Sequence, residues 1–153
     1  MFELNLPKAA LKLSNRDGKP CIWDAFRKKW LQLTPEEFVR QHLIHYLCNV
    51  LQYPGRHISI ERGVTKQTMQ RRTDIVVYNS RRQPHILIEC KAPFVNVNQS
   101  VIEQASAYNT TLKAPYLCVS NGIVHACFRI DHLSGTYRQI DMLPEYTRED
   151  LPL

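Results

Sequence analysis

The sequence has no Cys-x-x-Cys pair, no G-x-x-x-x-G-K-[ST] loop, no G-x-S-x-G and no H-E-x-x-H. These absences argue against a zinc ribbon or dithiol site, P-loop nucleotide hydrolysis, a serine-hydrolase elbow and a zincin helix. The cysteines, at positions 21, 48, 90, 118 and 127, are odd in number, and most lie in apolar segments where a thiol behaves as a small hydrophobe. They predict a reducing cytoplasm and no disulfide framework. No apolar run approaches the roughly 18 residues a membrane span requires. The start, Met1-Phe2-Glu3-Leu4-Asn5-Leu6-Pro7, lacks the basic and apolar regions of a signal peptide, so none is expected. Repeats, low-complexity tracts and a domain linker are also missing.

What is present suits one folded domain. The chain has 153 residues, enough for a real core, and a 44% hydrophobic content within the globular range. Its net charge is +6 and its pI about 9.2, which makes a polyanionic partner plausible on electrostatic grounds. The bases cluster at Arg27-Lys28-Lys29, Arg71-Arg72 and Arg81-Arg82.

Residues 1–33 read as short strands and turns, with a hairpin about Asn15-Arg16-Asp17-Gly18. Thr34-Pro35-Glu36-Glu37 announces a helix, with threonine as N-cap and proline in the first turn. Leu43, Ile44, Leu47, Val50 and Leu51 give it an apolar stripe, and Tyr53-Pro54-Gly55 ends it. Residues 56–65 alternate as a strand containing Glu61. A second helix is expected over 98–113, a buried strand over 116–120, a turn at Asn121-Gly122 and a strand from Ile123 to Ile130. The tail, with Pro144 and Pro152, is expected on the surface. The order predicts an α/β layered fold with a central mixed sheet flanked by helices. The expected division is 1–33 as N-terminal strands and turns, 34–130 as core and 131–153 as a C-terminal extension of one domain spanning 1–153.

The chemistry concentrates in two apolar segments, Asp74-Ile75-Val76-Val77-Tyr78 and His85-Ile86-Leu87-Ile88-Glu89-Cys90-Lys91. Each carries charge where its hydrophobic pattern predicts none, and burying such groups is costly unless they are paired or bind a cation. Alternation puts Glu89 and Lys91 on one face, with Ile88 and Cys90 on the other. If the hairpin turns about Arg81 and Arg82, position 74 falls opposite 89, with Cβ atoms about 5 Å apart. Mg2+ favours such a pair of carboxylates. The bland alternative is a surface hairpin with an ordinary ion pair.

On the second helix, Gln104 and Tyr108 are four apart and share a face. Val101, Ala105, Tyr108 and Leu112 also form an apolar stripe, so core packing and substrate positioning are both open for Tyr108. His42 and His45 are three apart but have no third ligand at metal-site spacing, which favours surface histidines.

Together Glu37 (or Glu36), Asp74, Glu89-x-Lys91 and Gln104-x-x-x-Tyr108 resemble the PD-(D/E)xK nuclease superfamily. Residues 22–29, 33–42 and 88–93, with Tyr116 to Gly122 and Pro144-Glu145-Tyr146, are similar to small bacterial proteins related to the N-terminal nuclease domain of the type I restriction enzyme R subunit. The resemblance covers almost the whole chain. It departs at Thr73, which stands where the motif has proline, and it lacks a helicase motor, so ATP hydrolysis is not expected.

The resemblance implies a restriction-endonuclease-like fold and a metal-dependent nuclease acting on DNA, with RNA left open. It implies that Asp74, Glu89 and the Cys90 carbonyl hold Mg2+ or Mn2+, with Glu37 completing the site. Lys91 would orient the attacking water, and Gln104 and Tyr108 would position the phosphate or the nucleophile. Arg71, Arg72 and Arg81 are candidate contacts to the nucleic-acid backbone, a solvated charged face being the other reading. Two alternatives belong to other classes: a catalytically silent module for nucleic-acid binding or assembly, and a subunit that cuts only with a separate motor or specificity protein.

Overall fold

Thr34 opens the first helix as its spacing predicts. Its Oγ1 accepts the Glu37 amide at 3.0 Å, Pro35 fills the first helical position and α1 runs Pro35–Asn49. The computed structural model describes residues 2–61 and 74–147, and only the backbone of Glu61 and Asp74. Before α1 lie β1 (Leu13–Arg16), β2 (Lys19–Asp24) and β3 (Lys29–Gln32), an antiparallel sheet in that order. The turn joining β1 to β2 holds Asp17 at φ 53° and Gly18 at φ 76°, the left-handed pair of a tight hairpin.

After α1 come β4 (Ile58–Glu61), β5 (Asp74–Tyr78), β6 (Pro84–Cys90), α2 (Gln99–Leu112), β7 (Tyr116–Ser120), β8 (His125–Asp131) and β9 (Thr136–Ile140). The six strands form one sheet in chain order. Among the described strands only β6 and β7 pair in parallel, across the α2 crossover; their neighbours pair antiparallel. Asn98 caps α2 by accepting the Val101 amide at 3.0 Å. Lys113 ends it at φ 62°. The buried Asn109 side chain then bonds both the N–H and C=O of Ala114 at 2.9 Å, which fixes the helix end to the start of β7.

The central strands are apolar on both faces because a helix covers each. Ile75, Val77, Ile86, Ile88 and Cys90 meet Val39, Leu43, Ile44 and Leu47 of α1. Val76, Leu87, Leu117 and Val119 meet Ala105 of α2, with Val101, Tyr108 and Leu112 packed at the edge. Each fully buried branched side chain is worth about 1.5–3 kcal/mol against exposure, and the two cores hold the layers together. This is the restriction-endonuclease-like α/β arrangement expected. No helix among the described residues is long and apolar enough to cross a membrane.

Several expectations need correction. Val50 is 44% exposed and caps α1 instead of extending its stripe, so the helix ends before Tyr53. Residues 131–146, expected as a surface tail, are partly built into the fold. A hairpin adds β9 to the sheet, Leu143 is buried, and Tyr146 packs edge-on against Tyr53 and His57. His42 is not a surface residue; it is buried against Phe38 and its Nδ1 lies 2.8 Å from the Phe38 carbonyl. Burial, and then the neighbouring His42, pushes the His45 imidazole below its ordinary pKa.

Candidate active site

The hairpin of β5 and β6 turns about Arg81 and Arg82. Asn79 caps the turn by accepting the amides of Arg81 and Gln83 at 2.9 and 3.0 Å, and Arg82 takes φ 61°. Ile75 therefore pairs with Ile88, Val76 with Leu87 and Val77 with Ile86; an irregularity at Val77/Tyr78 is absorbed before the turn. One step beyond Ile75 and Ile88, position 74 is in line with position 89. On its other side the Asp74 backbone pairs with that of Glu61.

Ile88 and Cys90 enter the α1-side core. Alternation thus directs Glu89, like Leu87, to the α2 side. Glu89 is 6% exposed, and Lys91 Nζ lies 3.3 Å from its Oε1. The strand ends beside β7, where the Lys91 amide donates to the Ser120 carbonyl at 2.8 Å. A buried carboxylate held against a half-buried ammonium, at the carboxyl end of two parallel strands, forms a compact polar end to the apolar run of β6.

Residues that the sequence reading gave to a strand end and a turn, with no part in the site, support this end. The buried Asn121 donates to the Val95 carbonyl at 2.9 Å, and its Oδ1 accepts the amides of Ile123 and Val124. It thereby holds the loop that follows Lys91. Ser120 Oγ accepts the Gly122 amide at 2.9 Å and lies 2.7 Å from His125 Nδ1. His125 Nε2 faces the Asn5 carbonyl at 2.9 Å, which can only accept, so a neutral ring carries its proton at Nε2. Gly122 is at φ 85°, and a Cβ there would lie 2.8 Å from Leu4 and 3.0 Å from Val39.

Glu37 is buried in a different setting. It accepts from Gln41 Nε2 at 3.1 Å, pairs with Arg40 and lies 3.5 Å from Arg27 Nη2. Arg27 Nε in turn meets Asp24 at 2.6 Å, and Arg40 lies 3.7 Å from the same carboxylate. Asp24 and Arg40 are both 0% exposed. Burial works to raise the Asp24 pKa, but the Arg27 amide and side-chain hydrogen bonds and charge outweigh it and hold the carboxyl below its ordinary range. This network joins the small sheet to the first turns of α1. The Arg-Lys-Lys run seen in sequence therefore includes one structural arginine, Arg27.

Gln104 is exposed on α2, and Tyr108 is half-buried in the α2-side core; both belong to the layer on the Glu89 side of the sheet. Arg81 is exposed at the turn, roughly 20 Å along the strand from Glu89. Arg71 and Arg72 lie outside the described residues, as do the Asp74 and Glu61 side chains. Among the described residues no three of His, Cys, Asp and Glu gather as a metal site. The oxygen donors at the carboxyl end of β6, the Glu89 carboxylate and the Cys90 carbonyl, are of the hard type that suits Mg2+ or Mn2+.

A mixed six-stranded sheet between two helices, with an acid and a lysine at the end of a central strand, defines a restriction-endonuclease-like domain. The chain belongs to the family described as type I restriction enzyme R protein N terminus, whose model matches residues 35–144. Among solved structures it is similar to a fragment of an HsdR subunit of a type I restriction enzyme from Vibrio vulnificus YJ016, with TM-score 0.50 and 18% identity. That match covers 74% of this chain and 24% of the Vibrio chain, so the similarity is one of fold and spans about a quarter of that relative. Comparison with curated proteins finds no significant match.

Proposed function

We propose that the chain is a metal-dependent nuclease domain of PD-(D/E)xK type that hydrolyses phosphodiester bonds of DNA. The observation that carries this reading is the Glu89–Lys91 pair at the end of β6, on a strand whose register sets position 74 alongside. Family membership supports the same reading. Asp74, Glu89 and the Cys90 carbonyl would hold Mg2+ or Mn2+. Such an ion lowers the pKa of a bound water and stabilises charge on the scissile phosphate. Lys91, already drawn toward Glu89, would orient the attacking water and offset negative charge in the transition state. Gln104 would reach the phosphate from the solvent-facing side of α2, with Tyr108 behind it. Glu37 is assigned a supporting place through Arg27 and Arg40, because those cations and Gln41 already occupy its carboxylate.

A second reading is a nuclease subunit that cuts only when joined to a separate motor or specificity protein. Its support is the family itself, which is described as the N terminus of a type I restriction enzyme R protein. A third, a silent binding module, predicts binding without cleavage. The test is cleavage of supercoiled plasmid and single-stranded DNA with Mg2+ and then Mn2+, beside Lys91→Ala. Cleavage that the substitution and EDTA both abolish supports the nuclease reading. Metal binding without cleavage favours the partner-dependent subunit, and neither activity favours the silent module.

A further inference from the structure

The sequence contains two tryptophans, and the β2–β3 pairing brings them together. Trp23 and Trp30 are direct cross-strand partners, with ring centroids 5.5 Å apart and planes inclined by 63°. Both are half-exposed. The neighbouring residues Ile22 and Asp24 are buried, so alternation puts the tryptophans on the outer face of the small sheet. The same parity places Lys12, Arg16 and Lys19 on that face, and no carboxylate with them. Lys12 Nζ lies 5.7 and 5.8 Å from the two ring centroids, and the Arg16 guanidinium 4.4 Å from that of Trp30. Lys28 and Lys29 are exposed at the β2–β3 turn.

Aromatic rings interleaved with cations on an open sheet are the combination by which unpaired bases and their phosphates are held together. Structural packing alone accounts for the Trp–Trp contact. It does not require that every charged residue on the face be positive. The position of the sheet also matters. Asp24 and Arg27 tie it to Glu37, and two residues further along α1 Val39 abuts Gly122 beside Ser120, the residue that bonds Lys91. The tryptophan sheet is therefore anchored at the same end of the main sheet as Glu89 and Lys91.

We infer that the outer face of β1–β3 binds single-stranded DNA, with bases stacking on Trp23 and Trp30 and phosphates meeting Lys12, Arg16 and Lys19. The choice of DNA rests on the nuclease reading; the binding itself does not. Duplex DNA keeps its base faces stacked and offers this surface only phosphates.

The two tryptophans are their own reporters. The experiment titrates the protein in EDTA with oligo(dT), oligo(U) and a duplex of equal length, following intrinsic fluorescence and anisotropy of labelled strands. The expected result is quenching by oligo(dT), with weaker binding of the duplex. Lys12→Gln with Arg16→Gln is expected to weaken binding about tenfold or more at low salt and to flatten its salt dependence by roughly two counterions. Trp23→Phe and Trp30→Phe keep a ring and are expected to retain binding within a few fold, each with half the quench. Arg138→Gln, at an exposed cation on the edge strand β9, is expected to bind as the native chain does, which separates this surface from the general positive charge of the chain. Binding without quenching, equal binding of the duplex, tighter binding of oligo(U), or indifference to the Lys12 and Arg16 substitutions overturns the inference, whatever the cleavage assay gives.

Discussion

Lys91 Nζ stands 3.3 Å from Glu89 Oε1, two residues upstream on the same face of the strand. This pairing separates structural from chemical roles. Lys91→Ala removes a half-buried cation and is expected to leave the fold intact while lowering cleavage by about a hundredfold or more, the usual cost of losing one preorganised donor. Glu89→Gln keeps shape and is expected to lose cleavage as fully. Circular dichroism and plasmid cleavage on the same preparations check both. Native cleavage rates in Lys91→Ala would remove it from the mechanism.

Metal should stabilise the folded chain through Glu89. With Mg2+ or Mn2+ at about 100 times its dissociation constant, linkage gives about 2.7 kcal/mol. For a chain of this size that is a rise in Tm of about 5 °C or more. Glu89→Gln is expected to abolish the rise, which thermal melts with and without EDTA would show. An equal rise in native and substituted protein would place the ion elsewhere.

Acid should loosen the junction between the small sheet and α1. Asp24 has a folded-state pKa below its unfolded value, so its contribution is present above about pH 4, the unfolded carboxyl range. It is lost as pH falls through the depressed folded value. Asp24→Asn removes one partner from a buried ion network and is expected to cost about 3 kcal/mol at pH 7 and progressively less below pH 4. Urea titrations at pH 7, 4 and 3 measure this; a cost that does not depend on pH would contradict it.

Gly122→Ala tests the turn beside the site. The added Cβ meets Leu4 and Val39 at or within 3.0 Å and the backbone stays at φ 85°, so a loss of about 3 kcal/mol is expected. The melt should fall by about 6 °C or more. A fall of a degree or two would mean that the amino-terminal segment yields easily.

Much of this architecture was legible because local signals agreed with one another. Thr34-Pro35 set one helix, and hairpin symmetry about Arg81 and Arg82 set the register of Ile75 with Ile88. Long-range partners were not legible. β9 is an exposed edge strand, Thr136–Ile140, whose composition carries little apolar alternation, so it read as tail. Glu37 carried the right charge at the right spacing; Arg40 and Gln41 stand three and four residues on along the same helix, but Arg27 reaches it only once the β2–β3 turn folds back on α1. Trp23 and Trp30 became neighbours only through the β2–β3 pairing.

The parallel pairing of β6 with β7 also bears on how the molecule is made. The β5–β6, β7–β8 and β8–β9 turns close over short stretches of chain and can form early. The bond from Lys91 to Ser120 must wait until α2 has carried the chain across and delivered β7 in the same direction. The end of the sheet that bears Glu89 and Lys91 is thus completed late in folding, and on the proposed nuclease reading a half-folded chain would have no assembled site.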